Sequence, residues 1–235
     1  MGYKYIILTA FLLLASSLTY PGDQGRVVGD VILYSSPAEN LYVSLNDSSL
    51  NFEAFSLALK GHEILSEKGL VLKPELITVI DYSKPSNEKR FFVIDLHSES
   101  IIYKSLVAHG RNSGELYATR FSNRVQSYQT ALGFYITGNT YTGSQGYSLL
   151  MSGVDSGYND NARKRSIVIH GADYVTQRFA ERNGRLGRSF GCPALPPELN
   201  KPVINLIKEG SVIFGYYPED DYLKGSVILA SVSHI

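Results

Sequence analysis

The chain has one cysteine, Cys192, among its 235 residues. A single thiol cannot close an internal disulfide, so whatever it does, it does not staple the fold. Net charge is also missing, because 22 basic residues offset 22 acidic ones. That balance leaves no global field to attract nucleic acid or an anionic membrane surface. Long apolar runs are scarce too. The longest, residues 5–14, falls well short of the ~20 residues that a membrane-spanning helix needs. No internal repeat and no low-complexity tract interrupts the rest.

What is present begins with the first residues. Met1-Gly2-Tyr3-Lys4 is a short, positively charged start, followed by the apolar run and then by small Ala15-Ser16-Ser17. This order is that of a secretory signal, expected over residues 1–20 with cleavage between Ala15 and Tyr20. No cysteine follows the apolar run, so a lipid-modified N-terminus is not supported. The mature chain is expected outside the cytoplasm, in the periplasm or cell envelope, with no stable membrane insertion once the signal is removed. At 44% hydrophobic and 19% charged residues it has enough apolar material for an ordinary core.

Residues 21–50 read as a leader of mixed polarity, with a candidate strand at 27–33. Residues 51–68 carry Phe52, Phe55, Leu59, Ile64 and Leu65 mostly on one face at helical spacing, between a capping Asn51 and a terminating Gly69. This predicts a helical appendage over 51–75 that packs on the main domain. From Leu76 the period shortens to β-type runs at 76–81, 90–96 and 101–108, separated by turn clusters. Further strand-like pieces lie at 133–138, 148–151, 166–169 and 211–217. Long Gly/Ser/Asn/Tyr stretches between them are of the length that often carries function. A helix is expected at 197–209, with prolines in its first turn. The main domain thus spans 76–218 and is mainly β with a few helices, and 219–235 remains as a tail.

Two segments carry chemistry. His170 ends the β-branched run Ile167-Val168-Ile169 and precedes Gly171, which lets the chain turn without blocking a neighbouring group. Twenty-two positions on, Ser189-Phe190-Gly191-Cys192-Pro193 offers the thiol in a glycine-rich segment. One reading is a buried, inert cysteine, a common fate of free thiols. The other is a nucleophile with a histidine base, since the thiolate is the reactive form and needs a proton acceptor. In that reading the backbone N–H groups of Gly191 and Cys192 point at a developing oxyanion.

His170-Gly171 followed by Ser189-x-Gly191-Cys192 resembles the signature of the L,D-transpeptidase (YkuD-like) catalytic domain family. The resemblance extends to residues 90–96, 107–114, 146–149, 169–174 and 187–194, and it runs from about Phe52 to Pro218. It is closest to the murein branch of that family, with Ser-x-Gly-Cys-Pro-Ala. It implies a YkuD-like β-barrel or sandwich and peptidoglycan stem peptides as substrate. Cys192 would attack the carbonyl between the third and fourth residues of a stem tetrapeptide, release D-alanine and form a thioester. An amine from a second stem would resolve it into a 3→3 cross-link. His170 would be the base, oriented by the Gly171 carbonyl, while Gly191 and Cys192 would supply the oxyanion hole. Ser189 would bond within the loop or contact substrate.

One departure matters. Where the commoner branch has a histidine before the glycine and an arginine two places after the cysteine, this chain has Phe190 and Ala194. Positive charge would then have to come from elsewhere, with Arg188 or Arg185 as candidates. Tyr147, Tyr141 and His109 are candidates for the groove, although ordinary packing is the simpler reading of either tyrosine and a turn that shapes the cleft is the favoured reading of His109. Asp155, Asp160 and Asp173 have no metal-ligand spacing with His170, so neither metal nor cofactor is expected. Hydrolysis by the same site, as an L,D-carboxypeptidase or endopeptidase, and an inactive peptidoglycan-binding module remain alternatives. A papain-like protease fits poorly, because those chains place the cysteine before the histidine, at the start of a helix.

Overall fold

The computed structural model describes residues 26–28, 31–33 and 36–230. The signal expected over residues 1–20 lies outside the described residues. The chain divides into two compact units, one ending at Ser36 and the other starting at Pro37. In the first, β1 (Arg26–Val28) and β2 (Val31–Leu33) pair antiparallel with Val28 opposite Val31. In place of the single strand expected at 27–33, the described residues form two short strands that pair with each other.

The second unit opens with α1 (Pro37–Leu45) and α2 (Phe52–Glu67), followed by β3 (Leu76–Asp81), β4 (Phe91–Asp95) and β5 (Ser100–Ser105). Next come β6 (Gly133–Gly143), β7 (Gly146–Gly153), β8 (Val168–Gly171), α3 (Gln177–Asn183) and β9 (Ala194–Leu195). The chain ends in α4 (Pro197–Ile207), β10 (Val212–Tyr216), α5 (Asp220–Gly225) and α6 (Val227–Ala230). Eight strands form one sheet in the order β5-β4-β3-β10-β6-β7-β8-β9. Only β3/β10 and β8/β9 are parallel. β3 and β10 are buried along their whole length, as befits mostly apolar runs, and the polar Thr78 and Asp81 of β3 are buried with them. The sheet then curls until its edges meet. Ala108, just past β5, bridges Ala194 of β9, with the Ala108 N–H 2.9 Å from the Ala194 carbonyl. The expected mainly β, barrel-like architecture holds.

Helix α2 packs against β3, β10 and α6. The Asn51 Oδ1 accepts the Ala54 N–H at 3.1 Å, so the cap lies where the sequence placed it. Its inner face, Ala54, Phe55, Ala58, Gly61, His62 and Leu65, repeats every three or four residues. Gly61 allows the closest approach. A Cβ there would lie 2.0 Å from Cζ of Phe134, whose ring stacks on Phe214 at 4.3 Å.

Two expectations change at the ends. The leader contains α1, whose mostly exposed residues give little apolar periodicity, and whose Tyr42 packs edge-on against Phe52 at 5.1 Å. The segment beyond 218, expected to be a tail, folds over 220–230 into α5 and α6, and Tyr222, Ile228 and Leu229 join the core. Asp155 anchors it, accepting from Ser226 Oγ at 2.5 Å, Tyr222 Oη at 3.1 Å and the Phe134 N–H at 2.7 Å. Among the described residues, no helix is long and apolar enough to cross a membrane.

Behind the sheet closure sits a fully buried arginine. Arg90 donates to the carbonyls of Val107 and Lys84 and, at 2.8 Å, to Nδ1 of His109. An arginine can only donate, so His109 Nδ1 carries the lone pair and Nε2–H points to the Gly114 carbonyl at 3.3 Å. Burial and then the Arg90 charge hold the His109 pKa down at about 3.

The contact at Gly61 gives a stability test. Gly61→Ala is expected to destabilise the protein by about 1–3 kcal/mol through overpacking, whereas Lys60→Ala on the same helix changes it by less than about 0.5 kcal/mol. Thermal denaturation of the two variants checks this. His109 gives a second. Its folded pKa is depressed, so its contribution is full above the unfolded value near 6.5 and is lost as pH falls toward about 3. Urea unfolding across that window is expected to show a shallower loss in His109→Gln than in the parent.

Candidate functional site

The sheet closure brings the two chemical segments together. β9 runs parallel to β8 with His170 opposite Ala194 and Gly171 opposite Leu195. Paired strands lie ~4.8 Å apart, and Cys192 comes two residues before the partner of His170. On its other side the loop is stitched to 108–111. The Ser189 N–H donates to the His109 carbonyl at 3.0 Å, and the Arg111 N–H to the Ser189 carbonyl at 2.8 Å. Cys192 and His170 consequently line one open cleft of about 560 Å³.

His170 is buried, and its Nδ1 lies 3.0 Å from the carbonyl oxygen of Gly171. A carbonyl only accepts, so Nδ1 carries the hydrogen and Nε2 keeps its lone pair. Burial lowers the imidazole pKa below its ordinary value, partly opposed by that hydrogen bond, and keeps the ring neutral near pH 7. The Cys192 thiol is pushed up by burial, while the Val168 backbone and the charge of Arg165 pull it down. Its Sγ rests 3.7 Å from the Ser166 carbonyl. At rest the cleft thus holds a neutral thiol and a neutral imidazole.

Ser189 is a loop fastener. Its Oγ donates to the Cys192 carbonyl at 2.6 Å and accepts the Gly191 N–H at 3.0 Å. Of its two expected roles, the bond within the loop is the one formed. That same bond corrects the expectation for Gly191, whose N–H is committed to Ser189 rather than open to an oxyanion. Gly191 has φ +123, and a Cβ there would meet the Gln129 carbonyl at 2.7 Å and Arg165 Nη2 at 3.1 Å. Only glycine fits.

The groove candidates divide. Arg188 lines the cleft, with Nη1 held by Glu115 at 2.5 Å. Tyr141 lines it as well and is partly exposed. Tyr147 does not, because its hydroxyl turns to Asn205 at 2.7 Å and its carbonyl accepts from Asn200. His109 does not either. It is fully buried between Arg90 and Gly114, which corrects its assignment to substrate binding. Arg185 pairs with Glu115 away from the cleft lining. Among the described residues, no group of three or more His, Cys, Asp or Glu is placed to hold a metal.

The sequence reading missed the opposite wall. Val125, Gln126, Tyr128, Lys164, Arg165 and Tyr174 complete the cleft, and its lining includes Lys164, Arg165 and Arg188 but no carboxylate. The run Arg163-Lys164-Arg165 just before the His170 strand was the available signal. Phe190, where the commoner branch has histidine, is 64% exposed. It sits 5.1 Å from Tyr128, with the Arg111 guanidinium 4.3 Å from one ring centroid and 4.8 Å from the other.

No curated protein matches the chain. Among solved structures, an L,D-transpeptidase from Mycobacterium smegmatis is 13% identical with a TM-score of 0.38, over 61% of this chain and 59% of that one. An L,D-transpeptidase from Mycobacterium tuberculosis H37Rv is 14% identical with a TM-score of 0.38, over 61% and 58%. L,D-transpeptidase 3 from Mycobacterium tuberculosis is 12% identical with a TM-score of 0.37, over 61% of each chain. The chain therefore covers about three fifths of the length of these structures. The sequence pattern of the L,D-transpeptidase catalytic domain matches residues 46–216, nearly three quarters of the chain and both segments that build the cleft. The chain belongs to the L,D-transpeptidase catalytic domain family.

Proposed function

We propose that the protein is a peptidoglycan L,D-transpeptidase that works in the cell envelope after secretion by its N-terminal signal. One observation carries the chemical part. His170 is fixed by its Nδ1–H bond to Gly171 O, and it shares an open cleft with the molecule's single thiol. The cationic lining suits a donor that carries carboxylates, as a stem tetrapeptide does.

In this reading His170 Nε2 takes the thiol proton as Cys192 Sγ attacks the carbonyl of the donor's third residue. The tetrahedral intermediate collapses by breaking the C–N bond. The imidazolium returns its proton to the departing D-alanine amine, and the acyl group stays on sulfur as a thioester. An acceptor amine then attacks the thioester, giving its proton to His170, and the thiolate leaves to be reprotonated. The Gly171 carbonyl does the orienting work that a carboxylate does in other triads. Ser189 positions the Cys192 carbonyl and the Gly191 N–H, and so shapes the loop that presents the sulfur. With Gly191 occupied, the Cys192 N–H is the loop's own candidate donor for the oxyanion. Water in place of the amine would give the carboxypeptidase outcome from the same acyl-enzyme.

Products identify the acceptor. Disaccharide-tetrapeptides incubated with the protein should yield 3→3 linked dimers by mass spectrometry, and tripeptides with free D-alanine alone would replace transpeptidation by hydrolysis. Cys192→Ser should lose the thioester and any mass adduct with a carbapenem while keeping the parent's circular dichroism. A parent protein that forms no adduct at Cys192 would favour the inactive binding module. His170→Ala is expected to slow acylation by about 10²–10⁴-fold. The depressed His170 pKa sets the pH profile. The base is ready at neutral pH, and kcat/KM should fall on acidification with a midpoint below 6.5. A midpoint well above 6.5 would mean that another group is the base.

A further inference from the structure

Arg165 has an unusual setting for a cation. It is half-buried in the wall of the cleft, and none of the ion pairs among the described residues includes it. Its guanidinium is spent on one loop. Nη1 donates to the Ser122 carbonyl at 2.6 Å, while Nη2 donates to Ser127 Oγ at 3.2 Å and to the Gln129 carbonyl. Those residues belong to the 122–129 segment that forms the far wall, where Gln126 and Tyr128 adopt left-handed backbone at φ +60 and +55. That same Nη2 lies beside Gly191, where a Cβ would come within 3.1 Å of it, one residue before Cys192. A partly desolvated cation satisfied only by neutral oxygens lacks a counter-charge.

We infer that the counter-charge is the reaction's own, and that Arg165 stabilises the negative charge of the Cys192 sulfur as its proton leaves for His170. This role rests on Cys192 being the nucleophile but not on any particular substrate. Favourable interaction appears only once charge develops, the condition under which an electrostatic contact speeds a step rather than merely tightening binding. The thiol's other neighbours do not do this. His170 is neutral at rest, the burial-raised phenols of Tyr174 and Tyr82 stay protonated, and Arg188 is engaged by Glu115. Lys164 lines the same cleft but is exposed, where solvent screens it. Arg165 is thus a positioning residue twice over, holding the 122–129 wall and the thiolate.

The two roles move one observable in opposite directions. Alkylation of Cys192 by iodoacetamide, followed against pH without substrate, reads thiolate content and access. Loss of charge in Arg165→Gln should slow alkylation at pH 8 by about tenfold, equivalent to a thiol pKa about one unit higher. If Arg165 only braces the loop, its removal opens the cleft, and alkylation is unchanged or faster. Arg165→Lys keeps the charge without the three-acceptor grip. It should stay within about threefold of the parent in alkylation while raising KM more than it lowers kcat. Equal slowing in Lys and Gln variants would overturn the assignment, as would an unchanged rate in Gln. Should Arg165→Gln not fold, Arg165→Met, also uncharged, carries the same comparison: alkylation slowed about tenfold at pH 8 supports the charge role, and an unchanged or faster rate overturns it. Failure to cross-link peptidoglycan fragments would leave these rates untouched, so the two readings fail separately.

Discussion

The geometry of the site depends on two residues of backbone pairing. β9 is only Ala194-Leu195, yet as one end of the sheet it pairs with β8 and also bridges the segment that follows β5, the strand at the other end. Ala194 pairs with His170 on one side and with Ala108 on the other. Because a strand's register fixes every side chain near it, this closure sets where the sulfur stands relative to the imidazole. The eight strands, the helix α2 and the buried Phe134/Phe214 stack serve that seam by making it rigid. A nucleophile on a free loop would sample many positions; here its loop is tied at Ser189, Ala194 and, through Ser189 Oγ, at Cys192 itself.

The seam in turn relies on charge buried behind it. Arg90 is sequestered with no carboxylate in hydrogen-bond contact, and the carbonyls of Val107 and Lys84 with the lone pair of His109 take its hydrogens. Such a cation is costly to bury unless each donor is satisfied. That requirement freezes the backbone at 107–109, from which Ala108 and His109 reach the nucleophile loop. His109 therefore matters to the site without entering it.

Much of this was legible in the residues. The strands at 76–81 and 90–96 announce themselves by composition, α2 by the spacing of its apolar face and by Asn51. The Cys192/His170 pairing is legible because each lies in a glycine-bearing segment beside a β run. What stayed hidden was of two kinds. Short elements such as α1, α5 and α6 bury too few residues to imprint a period, although Tyr222 and Ile228 are core. Side-chain destinations were hidden too. Nothing in Gly-Tyr-Ser-Leu tells that Tyr147 turns to Asn205, and nothing in His109-Gly110 tells that the ring faces a buried arginine. Those facts are set by which strands become neighbours, which composition does not encode.

The same limit explains the electrostatics of the cleft. Phe190 and Ala194 remove the charged positions that flank the thiol in the commoner branch, and a reading along the chain looks for replacements nearby in sequence. Arg188 and Arg185 are nearby, yet both are drawn toward Glu115. Arg165 is 27 positions upstream and comes beside Gly191, in the cleft it shares with Cys192, only because the β8 strand lies beside β9. Phe190 then has a different use. Packed with Tyr128 around Arg111, it fastens the rim between the nucleophile loop and the wall that Arg165 grips from inside. The loop thus has charge on one side and an aromatic fastening on the other, with no histidine at 190 and no arginine at 194. The chemical demand, a cation near a sulfur that must become negative, is met by a different residue.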